Sequence, residues 1–317
     1  MLLLRAGVAG MFFMSCIAAS AAVAAAHDSV APGVARISAI AHGAVVVTRT
    51  DTHGIQTQVA GVVNAPLMAG DFISTTDPAT LAEIQLDGYT ALRLSGAVQA
   101  RIAANDAKAQ ELQLAQGLVE VAILHADRTP TDVVAPSVTV RLDSVGSYRI
   151  DVAADGSTSV TARSGQAAIV TPHHTFTAQP GETVVARGAA ASPSVTFGDE
   201  VARDDFDRFN TERDRAAFAA LNDDTNVPSS VAGYDDLDRY GRWANVAPYG
   251  ESWIPNEPSG WAPYRDGSWA WGGSYGWTWV AAEPWGWLPY HYGSWFYSSG
   301  YGWCWYPPAL SVVPVWV

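Results

Sequence analysis

The chain has almost no cysteine. Cys16 and Cys304 are the whole supply in 317 residues, so the disulfide framework that staples many small secreted domains is excluded. With Cys16 in a segment removed on export, Cys304 is left alone and stability must come from packing. Lysine is scarcer still: Lys108 is the only one, and the formal charge is −13. A surface this short of cations suits neither nucleic acid nor anionic lipid, because both reward Lys and Arg. Tryptophan is missing before Trp243, after which all thirteen occur, and ten of the twelve Tyr lie from Tyr234 onward. The two halves therefore bury different kinds of surface, which implies at least two modules. Beyond residue 26 no apolar run is long enough to span a bilayer.

What is present begins with an export pattern in residues 1–26. Arg5 supplies a small positive region, Ala6 to Ala26 carry no charge, and Ala24-Ala25-Ala26 ends the run in A-x-A form. Cleavage there starts the mature chain at His27 and takes the formal charge from −13 to −14 by removing Arg5. An uncleaved anchor and a lipidated Cys16 are the alternatives, although Phe13-Met14-Ser15 lacks the Leu-small-small pattern of a lipoprotein site. The expected location is periplasmic or secreted, with no membrane insertion after cleavage.

From about Val34 to Arg187 the chain is a succession of short alternating or β-branched runs. Val45 to Thr48, Leu81 to Leu86, Ala91 to Leu94, Leu118 to Ile123, Val138 to Leu142, Tyr148 to Val152, Thr158 to Ala162 and Gln166 to Val170 are the clearest. Each has the length of a strand and is too short for a helix. Asp87-Gly88 and Asp155-Gly156 sit between runs, where hairpin turns favour residues that tolerate positive φ.

Several segments here resemble FecR-type domains. Asn64-Ala65-Pro66-Leu67-Met68-Ala69-Gly70-Asp71-Phe72-Ile73-Ser74-Thr75 and Ala82 to Gly88 match the start, followed by Gly117 to Val121, Val133 to Pro136, Val145 to Ile150, Asp155 to Thr158, Gly165 and Pro180-Gly181-Glu182. The resemblance covers about half the chain and implies a β-sandwich or solenoid-like domain over residues 34–188. Many family members are membrane-anchored regulators that relay iron-siderophore signals to a sigma factor. This sequence shows no cytoplasmic region ahead of its apolar segment, so the fold is expected to carry over and the anti-sigma role is not.

Residues 199–230 read as an acidic helix and linker. Val201, Phe206, Phe209, Ala216, Ala217 and Leu221 fall near one helical face, with Asp199 as the expected N-cap. Asn222 to Ser230, with Pro228, form the linker. Asp204, Asp205 and Asp207, and later Asp235, Asp236 and Asp238, lack the spaced D-x-D-x-D-G pattern of a calcium loop and read as solvated charges. His173-His174 sits in an expected turn without partner ligands at metal spacing.

Residues 234–317 contain a 26-residue repeat. Gly260, Trp261, Pro263, Tyr264, Gly267, Ser268, Trp269, Tyr275, Gly276, Trp277 and Trp279 recur as Gly286, Trp287, Pro289, Tyr290, Gly293, Ser294, Trp295, Tyr301, Gly302, Trp303 and Trp305. One step back, Gly241, Trp243, Tyr249, Gly250 and Trp253 form a partial third copy. Trp269 and Trp271, and again Trp277 and Trp279, alternate on either side of Gly272 to Gly276, which predicts a hairpin with all four indoles on one face. The segments 261–264 and 287–290 are expected to be extended, because Pro disfavours helix at the residue before it. Cys304, between Trp303 and Trp305, should face away from them. The pattern resembles the Trp/Tyr/Pro-rich region of unknown function that follows a FecR-like domain in some exported bacterial proteins, on Asp238 to Trp243, Gly260 to Trp269 and Glu283 to Trp287. It is also similar, by analogy, to the choline-binding repeats of surface proteins, in which aromatics of neighbouring hairpins form ligand cages.

The expected fold is mainly β: the FecR-like domain, a short acidic helix, then an aromatic β-hairpin repeat module. No G-x-S-x-G elbow, H-E-x-x-H helix or glycine-rich phosphate loop occurs in context, so the expectation is a non-enzymatic envelope protein without cofactor or metal. The candidate aromatic binding surface is Trp261, Tyr264, Trp269, Trp271, Trp277, Trp279, Trp287, Tyr290, Trp295, Trp303 and Trp305. Its expected partner is an envelope protein in an interaction or scaffold role. A cell-wall or other glycan held on the aromatic repeats is the alternative, as is FecR-type signalling without an anti-sigma segment. Against all of these stands the use of Trp and Tyr as core in a region short of Leu and Ile.

Overall fold

The computed structural model describes residues 34–51, 53–221, 227–271 and 276–307. The expected export segment with Cys16, much of the 222–230 linker and most of the 272–276 loop lie outside the described residues. The fold is mainly β, with a short helix and aromatic hairpins, as the sequence predicts.

Sixteen strands form the first part: β1 (Ala35–His42), β2 (Val45–Thr50), β3 (Gln56–Gly61), β4 (Pro66–Leu67), β5 (Phe72–Ser74), β6 (Leu81–Gln85), β7 (Thr90–Asn105), β8 (Gln110–Ile123), β9 (Thr131–Val134), β10 (Thr139–Leu142), β11 (Gly146–Val152), β12 (Thr158–Ser164), β13 (Ala167–Val170), β14 (Thr175–Ala178), β15 (Glu182–Arg187) and β16 (Ser194–Asp199). They belong to one mixed sheet whose main path runs β14-β13-β10-β9-β8-β11-β12-β15-β16, and β8 with β9 is a parallel pair among antiparallel ones. The sheet rolls over itself around a single aliphatic core, to which Ile37, Leu92, Leu94, Val121, Val140, Ile150 and Ile169 all contribute. Each such side chain stabilises by about 1.5–3 kcal/mol when taken fully out of water. Every run picked out in the sequence lies in or overlaps a strand. The two longest strands exceed the expected length because β7 and β8 stay paired through register shifts around Ser95, Gln99 and Ile102. Gly117 permits that bend: it has φ +102, and a Cβ there would lie 2.3 Å from the Ala97 carbonyl oxygen. Asp87 and Asp155 close their turns by accepting backbone N–H bonds, Asp87 from Tyr89 and Thr90 and Asp155 from Ser157.

The helix starts later than expected. Asp199 ends strand β16, and α1 spans Asp205–Leu221. Asp204 takes the capping role, since its Oδ1 accepts from Asp207 N at 3.1 Å while Asp207 Oδ2 accepts from Asp204 N at 3.0 Å. Val201 lies outside the helix and is exposed, whereas the covered face holds Phe206, Asp207, Asn210, Ala217 and Ala220. That face is half polar because it lies on charged strands. Glu83, Arg93, Glu120 and Arg149 stand directly opposite one another across β6, β7, β8 and β11, a ladder of alternating sign on the side of the sheet away from its aliphatic core. The reading of Asp207 and Asp236 as solvated charges is thereby corrected. Asp207 is buried between Arg149, at 3.0 Å, and Arg163, at 2.8 Å, and Asp236 lies 2.5 Å from the fully buried Arg36. A carboxylate taken from water needs such partners.

After a 3-10 turn (Tyr234–Asp236) and α2 (Leu237–Tyr240) come three hairpins: β17 (Gly241–Val246) with β18 (Gly250–Pro255), β19 (Gly267–Trp271) with β20 (Trp277–Ala281), and β21 (Ser294–Ser298) with β22 (Gly302–Tyr306). They coincide with the three repeat copies. Their order in space is not their order in sequence: the first and third join as β17-β18-β22-β21, and the second stands as a separate two-stranded sheet. The expectation of extended 261–264 and 287–290 segments is corrected. Residues Trp287–His291 form a short helix, α3, and Tyr264 sits in a turn with φ 63. Pro289 lies in the first helical turn, where its missing N–H would have had no partner, so the helix loses little.

Candidate functional site

The repeat has a geometric basis in two glycine positions and one tryptophan. Gly241, Gly267 and Gly293 each lie against the indole of the return strand, and a Cβ there would fall 2.3 Å from Trp253, 2.6 Å from Trp279 and 2.7 Å from Trp305. Only glycine leaves room for the ring. Gly250 and Gly302 begin the return strands and Gly276 immediately precedes its own, with φ 87, 81 and 77, where a side chain would be strained. Across each hairpin the rings pair in register: Trp243 with Trp253, Trp269 with Trp279, Trp271 with Trp277, Trp295 with Trp305 and Tyr297 with Trp303.

The candidate aromatics do not form one surface. Trp279, Trp287, Tyr290 and Trp305 are buried, and Trp261, Trp295 and Trp303 are half-buried. Trp253 and Trp285, which were not picked out, are buried with Trp279, Tyr290 and Trp305 around Leu237 and Leu288 in an aromatic core. Four indole N–H groups are spent on that core: Trp253 donates to Leu237 O, Trp305 to Tyr292 O, Trp295 to Pro289 O and Trp261 to Glu283 Oε1. Cys304 faces the other way, packed with Val246 and Ile254. Trp269, Trp271 and Trp277 remain exposed, at 50%, 56% and 56% of their surface, and Tyr264 and Tyr297 are exposed near them in the repeat. Trp269 meets Trp279 at 72° and Trp271 meets Trp277 at 75°, both edge-to-face with centroids 5.3 and 5.5 Å apart. The four indoles share one face of the hairpin, while Thr278 and Val280 are buried on the other.

This exposed face is fixed to the sheet domain by polar contacts that sequence reasoning missed. Arg36 donates Nε to Gln85 Oε1, Nη1 to Asn64 Oδ1 and Nη2 to Asp236 Oδ2. Asn64, held at φ 67 with no exposure, donates Nδ2 to the carbonyls of Ala281 and Glu283 at the end of β20. Gln85 Oε1 also accepts from Gly233 N, and Gln85 Nε2 donates to Asp235. On the far end of the hairpin Arg49 Nη1 donates to Trp271 O. His291 lies between the carbonyls of Trp287 and Trp279, at 2.7 and 2.9 Å, and burial pushes it down to about 4. The only sequence signal for this joint was a pair of polar residues, Arg36 and Asn64, in apolar surroundings. Among the described residues no group of three or more His, Cys, Asp or Glu is placed to hold a metal ion, and no helix is long and apolar enough to cross a membrane.

Residues 234–317 match a family of unknown function, DUF6600. Two crystal structures of a candidate anti-sigma factor from Parabacteroides distasonis resemble the fold distantly. One has 16% identity and a TM-score of 0.36 over 41% of this chain and 60% of that one. The other has 15% identity and a TM-score of 0.31 over 42% and 58%. This chain thus spans about three fifths of the length of the solved chains it matches. No curated protein matches it.

Proposed function

We propose that the chain is a non-catalytic interaction module outside the cytoplasm, and that it holds a protein partner on the exposed indole face of the second hairpin. The observation that carries this reading is the cluster of Trp269, Trp271 and Trp277 on one hairpin: Trp295 and Trp303, the third-hairpin counterparts of Trp269 and Trp277, are half-covered, whereas these indoles stand exposed beside Trp271, whose counterpart is the exposed Tyr297. Exposed indoles in a group are the anchors that protein interfaces favour. Among the described residues the strands β19 and β20 pair only with each other; the outer carbonyls of β20 at Trp279 and Ala281 are taken by His291 and Asn64 and that of Trp271 by Arg49, so an added strand would have only the middle of the β19 edge. The edge-to-face packing of the rings favours a protein over a polysaccharide, because neighbouring rings at 72° and 75° present no common plane for stacked sugars. The export reading of residues 1–26 supplies the location.

The test is cross-linking capture from envelope extract with the full chain and with a Trp269→Ala/Trp271→Ala/Trp277→Ala variant. A reproducible protein partner that is lost in the variant is the expected result. Absence of any such partner, together with a saturable tryptophan-fluorescence response to one envelope polysaccharide, would replace the protein by a glycan.

A further inference from the structure

The seat of α1 is short of positive charge. Arg93 alone faces three carboxylates: Nε lies 2.8 Å from Glu83, and Nη1 lies 3.2 Å from Glu120 and 2.7 Å from Asp214. Arg213 shares Glu83 at 2.6 Å and reaches Asp235 at 3.6 Å, while Arg36 holds Asp236 at 2.5 Å with Asp235 at 3.8 Å. Three guanidiniums thus answer five carboxylates in a region where Glu83, Arg93, Glu120 and Arg36 are essentially without solvent. Unbalanced charge in such surroundings is costly. The apolar grip of α1 is modest: Phe206, Ala217 and Ala220 are buried, and Leu221 packs with Ala217 on Ala91, Ala122 and Leu124, so the charges contribute to how firmly the helix sits.

We propose that this seat is a proton-operated latch: protons held on Glu120 and Asp236 in mildly acidic surroundings balance the cluster, and their loss in alkaline surroundings loosens α1 and the following 3-10 turn from the sheet. Burial pushes Glu120 up to about 7 against the pull of Arg93, with Asp214 and Asp207 adding to the rise. Burial likewise pushes Asp236 up to about 6 against Arg36, with Asp235 adding to it. From β11, Ser147 and Arg149 complete the surroundings of Glu120. The folded chain holds these protons more tightly than the unfolded one, so their contribution to stability grows as pH falls through about 7 and about 6 and is complete below the ordinary carboxylate range. Other groups oppose the trend, among them Asp204 at the start of α1, which the bond from Arg149 holds below the usual carboxylate range. Despite burial, Arg213 and Arg93 hold Glu83 well below the usual carboxylate range, so its contribution is lost only in strong acid. His291, beyond Arg36, loses stability as pH falls below the ordinary imidazole value. The readout must therefore be local to α1.

Amide hydrogen exchange of the full chain at about pH 5.5 and about pH 8, corrected for intrinsic rates, provides that readout, and α1 protection relative to β10 and β13 should fall roughly tenfold at the higher pH. Glu120→Gln, which carries no charge, should keep a large part of that protection at the higher pH, since only Asp236 of the two then loses its proton. The proposal is overturned if α1 protection in the unaltered chain is unchanged or higher at the alkaline pH, or if it falls only in step with β10 and β13. It is equally overturned if a folded Glu120→Gln protein shows the same loss as the unaltered chain. Should that variant not fold, the exchange profile of the unaltered chain decides alone.

Discussion

The first and third hairpins and the second are built from the same repeat and meet different fates. Trp253 and Trp305 face each other across the β18-β22 contact and disappear from solvent, and with them Trp243 and Trp295 become partly covered. The second hairpin has the same glycine beside the same return-strand indole, yet its remaining three rings stand out in water. The difference lies in what each hairpin docks with. The first and third hairpins bury Trp253 and Trp305 where they meet in one sheet, with Tyr297 left outside, whereas the second sends Trp279 alone of its indoles into the aromatic core and is held by its backbone carbonyls through Asn64 and Arg49. A repeat therefore specifies a local shape, and its neighbours decide whether the rings become core or surface.

That contrast is open to direct attack. Trp305→Ala should cost about 3–5 kcal/mol in urea unfolding, the range for emptying a packed aromatic site. An effect no larger than that of an exposed indole would erase the distinction. Asn64→Ala comes next, at roughly 2–3 kcal/mol, since it leaves buried carbonyls and Arg36 short of partners at a backbone angle that suits Asn or Gly. Its signature should be faster hydrogen exchange in β20 than in β17 and β18, and Asn64→Gly, which relieves the backbone strain of the alanine variant but equally lacks the amide, should retain most of the loss. The smallest effect is expected for Trp271→Ala, about 0.5–1.5 kcal/mol, the value of an aromatic pair beyond simple burial. Iodide quenching sharpens the point: Trp271→Phe should remove more quenchable emission than Trp253→Phe.

The legibility of the sequence follows the same line. The eight strand runs and the hairpin register of Trp269 with Trp279 were readable because period-two alternation and turn glycines are local properties. The start of α1 was misplaced because Asp199 and Asp204 are both plausible caps, and β16 claims the first through its ladder with β15. The acids of α1 and the 3-10 turn were read as solvated because a charged residue on a helix normally is. Nothing local says that Arg93, Arg149 and Arg163 wait on the facing strands. Of the eleven candidate aromatics, the sequence could group them by repeat but could not divide them, since a ring destined for the core and one destined for the surface carry the same pattern.

By itself the sequence determined the β character of the first part, the three hairpins, and the glycine that each buried indole requires. Only the tertiary structure decided that the first hairpin pairs with the third, that a charged ladder seats α1, and that Trp269, Trp271 and Trp277 stay in water. Strand and hairpin signals act over a few residues along the chain, whereas burial and charge partnership join residues as far apart as Arg36 and Asp236, which meet only after the chain has folded.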